Sequence, residues 1–70
     1  MAGAYSAVIQ QAGDWWIGWV EEVPGVNSQG RTREELLDNL KDALAEALEM
    51  NRAEAKAAAS GTYEEVSLSA

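Results

Sequence analysis

Residues 23 to 44 hold a strand end, a turn and the start of the chain's only long helix pattern, so they divide the sequence into a strand-like half and a helix-like half. Thr32 followed by Glu35 is a capping box: the hydroxyl accepts the amide of Glu35, and the carboxylate reaches back to the amide of Thr32. Pro24 fixes its own φ and drives Val23 into extended geometry, while Gly25 tolerates the positive φ of a tight turn. A strand arriving at Pro24 has to stop or bend there.

Ahead of that turn, residues 4 to 11 have a β-branched and aromatic centre and read as a strand ending near Gln10. Ala12-Gly13-Asp14 supplies a turn, and residues 15 to 22 form a second strand. The connection is too short for a crossover, so the two strands are antiparallel. A short third strand covers Val26 to Gln29.

From Arg33 the period changes. At 100° per residue, Leu36, Leu37, Leu40, Ala43, Leu44, Ala47, Leu48 and Asn51 share one side, and Glu34, Asp38, Asp42, Glu46 and Glu49 share the other. This is an amphipathic helix with a core face and an acidic face. The alanine-rich stretch after Met50 extends it to about Ala59, with Gly61 as its C-terminal cap. Residues 63 to 69, with Val66 and Leu68 on one face, read as a last strand. The fold class is therefore α+β, two-layer: an antiparallel three-stranded meander, one long helix and a C-terminal strand.

Seventy residues, with no internal repeat or linker, make a single domain over 1–70. A core of this size leaves a margin of only a few kcal/mol unless something staples it. The chain has no cysteine and no histidine, which excludes disulfides and leaves only a carboxylate zinc site, a rare arrangement. Oligomerisation is the remaining staple, so a homo-oligomer is expected.

With Lys+Arg 5 against Asp+Glu 12, the net charge is −7. Phosphate backbones and anionic lipid are repelled, and a basic protein is welcome. There is no apolar run of membrane-spanning length and no signal-peptide pattern, so a cytoplasmic location is expected, with neither nucleic acid nor membrane as a direct partner. Reagents for catalysis are few. Glu21 and Glu22 alternate faces and do not converge as an acid/base pair, and Ser28 has no base nearby. Neither catalysis nor a cofactor is expected.

Two features point to binding. Period 2 sends Trp15, Ile17 and Trp19 to one face of the sheet and Trp16, Gly18 and Val20 to the other, while one helix covers one face. The uncovered aromatic area is either the core of a homodimer or a docking surface for another protein. Glu34, Asp38, Asp42 and Glu46 recur at i, i+4, where like charges weaken a helix by roughly 0.2–0.5 kcal/mol per pair. The stripe is either a solvated face or a site for a partner.

The run Tyr5-x-x-Val8-Ile9, Trp16-x-Gly18-x-Val20, Val23-Pro24-Gly25-Val26 and Gly30-x-Thr32-x-x-Glu35-Leu36-x-x-Asn39-x-x-x-Ala43 resembles the HicB-like antitoxin family over about residues 5 to 50. The resemblance implies a ββ-β-α-β arrangement similar to a partial ribonuclease H fold, assembled as dimers or tetramers. It also implies an antitoxin that masks a small basic HicA-type ribonuclease toxin. Many relatives add a C-terminal DNA-binding domain; none is present up to Ala70, so direct operator contact is not expected. By analogy with the family pattern Trp15 and Trp19 look outward. The family offers no contact motif to transfer, so the candidate partner-binding residues Trp15, Trp19, Glu34, Asp38, Asp42 and Glu46 rest on the faces alone. The alternative function is a stand-alone oligomeric scaffold, regulatory or ligand-sensing, with no toxin partner.

Overall fold

The computed structural model describes residues 4–68. Three strands, β1 (Ala7–Ala12), β2 (Trp15–Val20) and β3 (Asn27–Gly30), are followed by one helix, α1 (Arg33–Ala57). The strands form a single antiparallel sheet in the order β1-β2-β3. The α+β meander-and-helix architecture read from the sequence is thus present.

Each connection follows from its turn residues. Ala12 faces Trp15 across the first hairpin, whose two-residue loop opens with Gly13 at φ 62°, the positive first position of a type II′ turn. Val23 to Val26 form a type II turn: Pro24 stands at the second position, Gly25 has φ 89° at the third, and the Val26 amide donates to the Val23 carbonyl at 3.3 Å. This turn and the bend before it end β2 at Val20 rather than at Glu22, and β3 begins one residue later than expected.

Trp16, Gly18 and Val20 face the helix, and the core is Val20, Val26, Leu36 and Leu40, with Ile9, Trp16, Val23, Ala43, Leu44 and Ala47 packed around it. Gly30 is where the helix start meets the sheet. A β-carbon there would lie 2.6 Å from the Leu36 amide nitrogen, so only glycine lets the first turn settle this close.

The helix outruns its support. Its 25 residues span roughly 37 Å, against about 20 Å for a six-residue strand. The molecule is accordingly elongated, 51 × 24 × 15 Å. The last residue packed on the core is Ala47, and Met50 is already 62% exposed.

Two expectations are corrected at the C-terminal end. The helix stops at Ala57 and is capped by Ala58 in helical geometry, so Gly61 is not its cap. With φ 81°, Gly61 instead lies in the bend that turns the chain back, bringing Glu65 Oε1 within 3.4 Å of Lys56 Nζ. The strand read over 63–69 is absent among the described residues, and Ser69 lies outside them. Residues 63–65 lie back beside the projecting end of α1, where no sheet edge is available to pair with them.

Candidate protein-binding surfaces

The rotation of α1 about its axis is set at its first turn. The Glu35 amide donates to Thr32 Oγ1 at 3.1 Å and the Leu36 amide to the Thr32 carbonyl at 3.0 Å. The return bond of the capping box differs from the expected one: Glu35 Oε1 accepts from the Arg31 amide at 3.0 Å, one residue earlier than Thr32. Asn39 Nδ2 donates to the Gln29 carbonyl at 2.9 Å, tying the second turn to β3.

With Leu36 and Leu40 thereby held inward, Glu34, Asp38, Asp42 and Glu46 come out on the solvent side, all exposed. Successive members are separated by a rise of roughly 6 Å. Among the described residues the ion pair is Lys56–Glu65, so no carboxylate of the stripe is neutralised by a bridge.

The opposite face of the sheet carries the second set. Trp15 (37% exposed) and Trp19 (41%) flank the half-buried Ile17, and Val8 lies beside Trp19 in register. The Arg31 guanidinium carbon sits 4.3 Å from the centroid of the Trp15 ring, a cation–π contact that places one positive charge on a face otherwise made of aromatic, aliphatic and neutral polar side chains. Arg31 was not among the residues singled out from the sequence. Period 2 puts Asn27, Gln29 and Arg31 on one face, but only the register of β3 on β2 makes it the face of Trp15 and Trp19.

The structure therefore gathers each candidate set and separates the two. The stripe lies on the outer side of the helix layer and the tryptophans on the outer side of the sheet layer. Of the remaining carboxylates near the sheet, Glu22 is in structural use. Its Oε1 accepts the Ser6 amide at 2.8 Å, and this bond holds its pKa below the ordinary carboxylate value. Among the described residues no cluster of three or more acidic side chains is placed to hold a metal ion.

These elements define a two-layer α+β domain with an acidic outer helix face and an aromatic outer sheet face. Comparison with protein-family models, with curated proteins and with solved structures found no match. No helix among the described residues is long and apolar enough to cross a membrane.

Proposed function

We propose that this chain is a non-catalytic protein-binding domain of the HicB-like antitoxin type, which neutralises a small basic HicA-type ribonuclease by docking it on α1. The observation that carries this reading is the exposed, unbridged stripe Glu34, Asp38, Asp42 and Glu46, held outward by the cap at Thr32. A net charge of −7 supports it, because opposite charge on the partner raises the association rate. On this reading the three strands and the helix belong to a partial ribonuclease H-like domain, whose C-terminal strand forms once it finds a partner edge. Self-association as a dimer or tetramer through the Trp15 and Trp19 face belongs to the same proposal, and a cytoplasmic location suits it.

The test is co-purification with the product of an adjacent small basic reading frame, followed by stopped-flow association at increasing salt. The double variant Asp38→Lys, Asp42→Lys is expected to slow association about tenfold or more at low salt while remaining helical, since it also relieves like-charge repulsion. A rate that survives both the reversal and high salt places the contact on the tryptophan face. A second reading, a stand-alone oligomeric scaffold without a toxin, is favoured by the exposure of Trp15 and Trp19 themselves. It predicts a stable oligomer and no co-purifying basic protein.

A further inference from the structure

The open edge of the sheet and the tail of the chain are complementary, and we infer that residues 63–68 of one copy add as a strand to β1 of a second copy. This deepens the self-association proposed above and places part of it on a different surface. The edge comes first. The Val20 amide donates to Val26 on the β3 side and the Glu21 amide to the Ser6 carbonyl on the β1 side, at 3.0 and 2.9 Å. By antiparallel alternation, Ser6, Val8 and Gln10 then pair inward, and Ala7, Ile9 and Gln11 turn their amides and carbonyls out from the sheet.

The two edges are not equivalent. β3 is four residues long, and Asn39 occupies its Gln29 carbonyl. The sequence of β1, Ala-Val-Ile-Gln-Gln-Ala, has no lysine, proline or other charge to discourage pairing.

Beside the Ala7 end of this edge runs a groove of about 190 Å³, walled by Tyr5, Leu37, Leu40 and Leu44 and carrying one charged residue, Lys41. An added strand would send alternate side chains into it. In the tail, Glu64, Val66 and Leu68 share one face by period 2, two apolar groups and one acid for three leucines and one lysine. Val66 and Leu68 are 67% and 90% exposed in the protomer, so both are available.

The length of α1 decides between the chain's own tail and another copy's. With Glu65 beside Lys56, three more residues can carry Leu68 no more than roughly 10 Å back along the helix, at most to the level of Met50 and short of Leu44. Reaching its own groove would require the chain to reverse about 9 Å earlier along the helix, at the expense of the last turns of α1. A second copy needs no such change, and reciprocal exchange closes a symmetric pair.

The absence of cysteine allows single labels to be introduced into the 70-residue chain. Copies carrying Ala4→Cys with a donor dye are mixed with copies carrying Ser67→Cys with an acceptor. Efficient energy transfer between copies is expected, with a loss of at least fivefold when Val66→Asp and Leu68→Asp are added to the acceptor copies. Both of these positions are exposed, so the protomer fold is retained, as circular dichroism would verify. Absence of transfer overturns the inference. So does transfer that persists in the tail variant, whereas a tail variant that loses transfer but still sediments as an oligomer leaves the tryptophan-face association standing beside it.

Discussion

Leu40 stands directly over Gly18: its Cδ1 lies 3.1 Å from where a β-carbon on that glycine would be, and Ile9 Cγ2 and the Val8 carbonyl are each 3.0 Å from the same point. The helix rests on the one position of β2 that lacks a side chain. Gly18→Ala is expected to overpack this contact and cost about 1–3 kcal/mol, read as a lower midpoint in thermal or urea unfolding. An unchanged midpoint would mean that the helix lifts away from β2 without penalty.

The helix start gives a second, independent measurement. Thr32→Ala removes the acceptor for the Glu35 amide and is expected to cost about 1 kcal/mol. Gly30→Ala should cost more, because a methyl 2.6 Å from the Leu36 nitrogen meets backbone that cannot rotate aside. Finding the two in the opposite order would detach the first turn from the sheet.

The helical period ranks Leu36, Leu40, Leu44 and Leu48 alike as core, and the structure grades them. Leu36 is fully buried and Leu40 nearly so, whereas Leu44 and Leu48 are half-buried where the sheet runs out. Leu36→Ala should therefore cost about 2–5 kcal/mol, and Leu44→Ala distinctly less. Chemical denaturation of both variants checks the order, and equal losses would indicate that something covers Leu44 in solution.

This grading shows where the sequence stops being informative. Pro24-Gly25, Gly13 and Thr32 act through local sterics and local hydrogen bonds, so turns and helix start are legible residue by residue. Period 2 separates Trp15 and Trp19 from Trp16, though which set meets the helix comes from the family resemblance and not from the period, and Asp38 and Asp42 come outward because Leu36 and Leu40 go in. Long-range geometry is not written in this way. The pattern does not say that α1 outruns the sheet, that Arg31 lies over Trp15, or that residues 63–68 have strand composition without an edge beside them. Strand propensity alone makes no strand when the partner edge is out of reach.

Glu22 supplies a pH dependence. Its pKa is lowered in the fold by the Ser6 amide, so its contribution to stability is complete above the unfolded-state pKa. That contribution shrinks as pH falls through the interval down to the folded-state value and is gone below it. Because the group is at the surface the effect is small. The difference in melting temperature between the unmodified chain and Glu22→Gln is expected to be positive near neutrality and to vanish in strong acid. A difference that persists there would assign the effect to packing instead of charge.

The tryptophan face is tested by charge. Trp19 points away from the core and lies beside Val8, both more than a third exposed, so an aspartate in its place removes no packing from Leu36 or Leu40. The protomer should stay folded, but a copy docked on this face would have to desolvate a carboxylate among Trp15, Ile17 and Val8, at a cost of several kcal/mol. Trp19→Asp is thus expected to weaken self-association at least a hundredfold, measured by sedimentation velocity over a range of concentrations with helicity monitored in parallel. An unmodified chain that sediments as a monomer at high micromolar concentration refutes self-association. An oligomer untouched by Trp19→Asp assigns the assembly to the β1 edge and its groove, and leaves Trp15, Trp19 and Arg31 for a different partner.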